Sequence, residues 1–426
     1  MPSKQNLVFI RASQVFILII VAFCVITTYY IQLRTSFSIN NSKAKISVIH
    51  DEEGAVTIRE EGFIEVNANT FVYSAYWDDR LGPNNSFVRV IGTAPRNSQD
   101  LISIVCLVYV KSSSNNGTEV RTTYITITDN HGRQNAGTFF LCHWPADQPP
   151  PKQVALRDSR TLQESTRLTV RVRNHINLTK IKDKLGLCVR PFFGYVKSLS
   201  ELQEFIAVYY MLGVSQFTFY KYELDDRIEK MLYALQKKGI SIELLPWNLP
   251  TRLFRTTWAG GQYVSIEDCI YRNMYDVNYV AVVDVDEFIF PRNHSTLQAM
   301  ISSIANENWG SLIFRNAFFC TSKPSDQQTL NSTLPFRTMT YLQHQKNIWP
   351  AKKRSKVIVQ PTKTIICGIH YVFEHFNNSK EIVISPSVAI LHHYRHSVFC
   401  RGTLVTDKTA LRFKIDLLKC AKRLFQ

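Results

Sequence analysis

The sequence predicts an α/β domain preceded by a small all-β domain and by an N-terminal single-pass transmembrane helix. Three observations carry this reading: a charge-free apolar run at residues 15–33, short β-rich runs between residues 71 and 140, and regular alternation of strand and helix patterns after Gly186. With 16 Gly and 16 Pro among 426 residues, collagen, low-complexity polymers and wholesale disorder are excluded. At roughly 150 residues per domain, the length suits two or three folded parts.

Residues 15–33 (VFILIIVAFCVITTYYIQL) are near the roughly twenty needed to cross a bilayer core. The run is too long for a signal-peptide core and is not succeeded by a small-x-small cleavage site, so it reads as an uncleaved anchor. Lys4, Arg11 and the amino terminus precede it, while only Arg34 lies close behind. The positive-inside bias then leaves residues 1–14 in the cytosol and places everything after residue 33 in the lumen. Seven Asn-x-Ser/Thr sequons, at Asn40, Asn84, Asn116, Asn177, Asn293, Asn331 and Asn377, agree with the secretory route. Of nine cysteines, Cys24 lies in the span and eight are lumenal. Nothing in their spacing suggests structural zinc, so disulfides are expected, with Cys106 and Cys142 the one positional pairing.

Residues 34–68 are polar and without periodicity, which suits a stem. From 69 to 148 the runs FVYSAYW, SFVRVIG, LISIVCLVYV and TTYITIT, separated by GPNN, SSSNNG and DNHG, predict the β domain. The prolines at 149–151 and a polar stretch make 149–184 a linker, in which RLTVRVRN is one further strand candidate. The α/β domain then runs from 185 to 426. Its elements are the strand CVRPFFGYV, a helix at 200–212, the strand QFTFYKY, a helix at 226–238, the strand ISIELLPW, a helix at 262–275, and a buried strand YVAVVDVDEF. Such spacing predicts parallel pairing, with ligands at the carboxyl ends of the strands. At the C-terminus, 408–425 predicts a docking helix with Leu411, Ile415 and Leu418 on its apolar face.

Asp284 and Asp286 fall where the apolar strand leaves the sheet, their side chains expected on one face by the period of two. Two carboxylates there suit a hard divalent cation that neutralises a diphosphate and its departure. Capping of a strand end by the same acids is the structural alternative. A phosphatase with the first Asp as nucleophile is the chemical rival, but it needs a later acidic pair, and the acids after Glu287 are scattered singly. The charge clusters downstream are basic. Lys352, Lys353, Arg354, Lys356 and Lys363 surround KVIVQP, and His392, His393, Tyr394, Arg395 and His396 come after SVAIL, groups suited to a diphosphate and its metal. Lys352–Lys356 reads equally as a solvated edge, and His370 as an interior histidine.

YSAYWDDR at 73–80, the opening CVRPFFGYVKSLSELQEFIAVYYMLGVSQFTFY, DCIYRNMY, VVDVDEFIFPR and the terminal HHYR together resemble glycosyltransferase family 92, from about residue 70 to 400. The resemblance implies a GT-A-type (Rossmann-like) catalytic domain in a type II single-pass protein of the Golgi membrane, its catalytic domain lumenal. It also implies inverting β1,4 transfer of galactose from UDP-galactose, with Mn2+, onto a glycan or glycoprotein acceptor. Carried over, Asp284, Asp286 and His393 are the metal residues, and Asp284 and Arg395 donor and phosphate contacts; Lys356 of the basic cluster is a further phosphate candidate. An inverting enzyme also needs a carboxylate to take the acceptor proton. Asp326 and Glu374 are the candidates for it. The alternative from another class is a catalytically inactive anchored glycan-binding protein. The basic surplus, 50 Lys plus Arg against 34 Asp plus Glu, does not make nucleic acid a partner, because the lumenal topology removes that polymer. Homodimerisation is left open.

Overall fold

The computed structural model describes residues 46–426 except 51–55, 61, 83–84, 97, 115, 146, 162–163, 172–183, 194–197, 305–307, 323–335, 397–399 and 401. The anchor at 15–33 and the sequons Asn40, Asn84, Asn177 and Asn331 lie outside the described residues. Among the described residues no helix is long and apolar enough to cross a membrane. The sequons Asn116, Asn293 and Asn377 are exposed.

Alternating apolar strands and amphipathic helices build the first half of a mixed α/β core. It runs through β1 (Leu185–Cys188), α1 (Leu199–Met211), β2 (Val214–Lys221), α2 (Asp226–Lys237), β3 (Ser241–Pro246), α3 (Gln262–Asn273) and β4 (Tyr279–Val282). The order β3-β2-β1-β4 is parallel throughout, as the spacing predicts. Local signals set the helix ends: the Ser198 hydroxyl accepts the Glu201 N–H (3.2 Å) and the Asp225 carboxylate accepts the Arg227 N–H (2.8 Å). Gly213 and Gly239 end α1 and α2 with φ of +100° and +84°, the left-handed position that glycine takes without strain.

Parallel pairing stops at β4. The later strands are β5 (Glu287–Pro291), β6 (Trp309–Phe314), β7 (Asn316–Cys320), β8 (Gln343–Gln345), β9 (Lys356–Val359), β10 (Lys380–Val383), β11 (Ala389–Arg395) and β12 (Leu404–Thr406). β9 inserts antiparallel between β4 and β6, and β10 edges the sheet parallel to β6. The others form a second sheet, ordered β5-β11-β7-β8-β12. The single strand predicted over YVAVVDVDEF is therefore two. β4 ends at Val282, and a tight turn closed by the Glu287 N–H on the Asp284 carbonyl (3.0 Å) feeds β5 into the other sheet. The physical reason is that two carboxylates cannot continue a strand buried on both faces without cations beside them, and these are available only in the seam between the sheets.

The C-terminal helix also departs from expectation: α4 (Lys414–Phe425) buries Leu417, Ala421 and Leu424, and leaves Ile415 and Leu418 exposed at 67% and 39%. A 3-10 turn at Thr409–Phe413 precedes it, so the α-helical phase starts later than a helix from Lys408 would give. The helix docks on α1, with the Arg423 guanidinium 5.2 Å from the Tyr210 ring centre.

The N-terminal region is a nine-stranded, largely antiparallel sheet. Two of its strands, Gln153–Asp158 and Leu168–Arg171, come from the segment 149–184 expected to be a linker, the first pairing antiparallel with Ile104–Tyr109 and the second parallel to Thr70–Asp78. The proline run thus marks a turn between strands rather than a boundary. The expected stem likewise contains a hairpin, Ile46–His50 on Val56–Glu60, and the strand Ile64–Asn67. Cys106 pairs with Cys142 as expected, Cys188 with Cys269 and Cys320 with Cys400, while Cys367 and Cys420 are free. Three pairs form, not four, because Cys367 is sealed in the core and Cys420 lies on α4.

The β sheet and the α/β core share one apolar cluster, in which Phe63, Tyr73 and Tyr76 meet Tyr220, Trp247 and Cys269. At its centre Asp268 of α3, fully buried, accepts from Tyr76 (2.6 Å) and Tyr220 (2.7 Å) and pairs with Arg272 (2.9 Å). Beside it Asp78 binds Arg80 (2.9 Å) and Arg89 (3.1 Å), and Arg80 also donates to the Thr364 carbonyl (2.8 Å). YSAYWDDR and DCIYRNMY therefore join two sheets. Burial pushes the Asp78 carboxyl up, but the two guanidiniums outweigh it and bring it down to about 2 from an ordinary 3.8. A depressed folded-state pKa gives stability that is complete above the unfolded value and is lost as pH falls through the folded one. In urea titrations, the stability gap between wild type and Asp78→Asn is thus expected to be full at pH 7 and to shrink between about pH 4 and 2. A gap independent of pH over that window would show that the Asp78 charge contributes nothing to the joint.

Candidate active site

The turn between β4 and β5 presents three acids in four residues, and each meets a different partner. Asp284 faces β9 and the end of β1: its Oδ2 accepts from Lys356 Nζ at 3.0 Å and its Oδ1 lies 3.4 Å from Arg190 Nε. Glu287 is buried; its Oε2 accepts the Asp284 N–H (2.9 Å) and stands 3.2 Å from Lys356, while its Oε1 is 3.3 Å from His393 Nδ1. Asp286 faces β11, its Oδ2 3.5 Å from His393 Nε2 and 3.3 Å from Arg395 Nε.

The two aspartates thus point to different cations instead of sharing one face, because they occupy a turn and not a strand. Lys356, read as either an edge lysine or a phosphate contact, is buried at 1% exposure as the counterion of Asp284 and Glu287. Burial opposes ionisation at all three acids. Lys356 and Arg190 overcome it at Asp284, whose pKa is lowered, and His393, Arg395 and Arg337 overcome it at Asp286, also lowered. At Glu287 burial wins and the pKa is raised, with the neighbouring Asp284 charge adding to it against Lys356.

Register places the basic side of the site. β11 lies between β5 and β7, pairing His393 with Glu287 on one side and with Phe318 on the other. Strand alternation then separates the first three residues of the histidine cluster. His392 turns inward and stacks on Phe319 at 4.1 Å, His393 faces the acids, and Tyr394 is buried. Arg395 Nε–H donates to His393 Nε2 (2.7 Å), which makes Nε2 the lone-pair nitrogen and puts the proton on Nδ1. The Asn316 carboxamide approaches Nδ1 to 2.8 Å, and with its oxygen turned there it accepts that proton and gives Oδ1 a partner it otherwise lacks.

The family model for glycosyltransferase family 92 matches residues 183–415, more than half of the chain. The chain belongs to glycosyltransferase family 92. It is a glycosyltransferase, and the match starts at β1 and takes in the turn, β9 and β11. Among curated relatives it is 24% identical to the "Beta-1,4-galactosyltransferase galt-1" of Caenorhabditis elegans, over 92% of this chain and 93% of that one. It is also 24% identical to "Glycosyltransferase family 92 protein At1g27200" of Arabidopsis thaliana, over 46% of this chain and 33% of that one. The solved structure of S. aureus TarS 1–349 in complex with UDP aligns over 57% of this chain and 65% of that one, at 12% identity and a TM-score of 0.29, too loose a match to carry an argument.

In this family-92 chain the structure brings together Asp284, Asp286, Lys356, His393 and Arg395 from the sequence-read set. Asp326 lies outside the described residues. Glu374 is exposed on the hairpin Thr364–Cys367 with Val372–His375, and no ion pair joins it to the cluster. Among the described residues no group of three or more His, Cys, Asp or Glu is arranged as a metal cage, since Asp284 is committed to Lys356 and Arg190. Three members were missed: Arg190, Glu287 and Asn316. Arg190 carried a usable signal, because it comes just after β1, the parallel neighbour of β4, at the end where such sheets place ligands. Glu287 and Asn316 carried none: Glu287 meets His393 through the register of β5 on β11, and Asn316 through a side-chain contact from β7.

Proposed function

We propose that this glycosyltransferase has a GT-A-type catalytic domain and transfers galactose from UDP-galactose in a β1,4 linkage, with inversion, to a glycan acceptor in the Golgi lumen. The observation that carries the reading is the convergence of Asp286, His393 and Arg395 at the carboxyl end of β4. The activity named for the worm relative, aligned over nearly the whole chain, supports the donor and linkage. Three disulfides suit an oxidising lumen, as does the type II anchor read at 15–33.

Each residue then has a role. The Asp286 carboxylate and the Nε2 of His393 are an oxygen and an imidazole donor beside one another; they would hold Mn2+ once the Arg395 Nε–H, which occupies the Nε2 lone pair, turns to the donor's phosphates. A metal bound there would supply positive charge to the departing diphosphate. Arg395, half exposed at the rim, is positioned to donate to phosphate oxygens. Asp284 acts indirectly: by pairing with Lys356 and Arg190 it fixes the turn and holds Arg190 over the strand end.

The test is an assay of the detergent-solubilised full chain against a panel of UDP-sugars, with Mn2+ and with chelator. Transfer from UDP-galactose alone, abolished by chelator and restored by Mn2+, is expected. Equal turnover in chelator would remove the metal, and turnover only with another sugar would replace the donor.

A further inference from the structure

We propose that the cleft beside Trp349 is the acceptor subsite, shaped for a neutral pyranose at the end of a glycan. The inference rests on glycosyl transfer as the activity, but not on which sugar is the donor.

The cleft holds about 350 Å³ and is lined by the segment Gln345 to Pro350 together with Gly402 and Thr403. That volume lies within the roughly 300–1,000 Å³ of small-ligand pockets. Its walls are fixed by backbone bonds. The Lys346 N–H donates to the Thr403 carbonyl (2.9 Å), and Arg315 donates to the carbonyls of Trp349 (3.0 Å) and Ile348 (3.1 Å).

Two buried residues of β7 stand between the cleft and the reaction centre and touch both. The Asn316 carbonyl accepts the Trp349 N–H (2.9 Å), while the Asn316 side chain meets His393. The Phe318 ring stands 6.0 Å from the Trp349 ring and 5.0 Å from the His393 ring, centre to centre. Trp349 is thus one aromatic layer from the imidazole. Arg354 lies 5.0 Å over the indole, carried there by a turn in which Lys352 and Arg354 both have left-handed φ, +68° and +59°. Strain at two non-glycine residues persists only where the surroundings hold it, and it gathers at ligand sites.

The chemistry of the lining selects the occupant. A pyranose has an apolar C–H face and a rim of hydroxyls, which match a half-buried indole beside two carboxamides, Gln345 and Asn347, and the Thr403 hydroxyl. The lining contains no carboxylate, and of the cations about it Arg315 is engaged by the Trp349 and Ile348 carbonyls and Arg354 by the indole, so Lys346 alone is a lining cation, less charge than a diphosphate calls for. A neutral sugar fits both conditions.

The test measures glycan and nucleotide binding separately on the full chain. A panel of labelled neutral oligosaccharides and their terminal disaccharides is bound to wild type, Trp349→Ala, Trp349→Phe and Asn347→Ala, and UDP is titrated by calorimetry. Wild type and Trp349→Phe should bind glycan, Trp349→Ala should lose at least about tenfold in affinity, and Asn347→Ala should fall between them, with UDP binding equal in all four. Asn347 is exposed, so that variant reports even if Trp349→Ala fails to fold. Glycan affinity unchanged in both alanine variants, no glycan bound by wild type, or loss of UDP binding in Trp349→Ala would each overturn the assignment. A wrong donor would show only in the UDP-sugar assay and leave the glycan arm intact.

Discussion

Asp286→Asn is expected to lower the turnover of sugar transfer by at least about 100-fold, the scale of losing one aimed charge in a water-poor site. The substitution keeps the shape of the side chain and removes its charge. Asp286 lies between His393 Nε2 (3.5 Å) and Arg395 Nε (3.3 Å), so asparagine leaves the Nε2 side of the imidazole without its carboxylate and Arg395 without its counterion. The fold should not register the change strongly. The Asp286 side chain is 23% exposed and its backbone carbonyl, not its carboxylate, takes the Tyr394 N–H (2.9 Å), so stability should fall by less than the roughly 3–5 kcal/mol of an uncompensated buried charge. Transfer kinetics and a urea titration on the same preparation check both halves. Near wild-type turnover would place the chemistry elsewhere, and collapse of stability would make the triad structural.

Lys356→Met should have the largest effect on folding. Its ammonium is buried between Asp284 Oδ2 (3.0 Å) and Glu287 Oε2 (3.2 Å), and methionine fills its volume without its charge. Removing one partner from a buried ionic group leaves uncompensated charge, which costs on the order of 3–5 kcal/mol. Glu287, whose pKa is already raised, can relieve part of this by taking a proton, whereas Asp284, held low by Lys356 and Arg190, loses its nearer cation. Lys356→Met with Glu287→Gln should therefore recover some of the lost stability, measured as a double-mutant cycle. Additive losses would show that the lysine does not couple to Glu287, and an unchanged single variant would show that the buried pair is not ionised.

The strand and helix order from β1 to β4 was legible in the residues alone, because apolar period, N-cap serine and aspartate, and C-terminal glycines are local signals. Equally local were the position of Asp284 and Asp286 at the end of an apolar strand and the alternation of His393 and Arg395 with buried neighbours, so the residues of the site were legible as types. The Cys106–Cys142 pair was legible too, since both lie in one strand-rich region. Long-range packing set the rest. The break after Val282, the antiparallel insertion of β9 and the second sheet depend on contacts such as Asp284 with Lys356 and Asp286 with His393, too far apart along the chain for any window of periodicity to contain. Those contacts send the two aspartates to different cations, and packing of the same long range turns the strongest sequence motifs of the β region into the joint between two sheets. The phase of the last helix was lost for a smaller reason of the same kind: a 3-10 turn before Lys414 moves the docking face from Leu411, Ile415 and Leu418 to Leu417, Ala421 and Leu424, and only the groove against α1 selects between them.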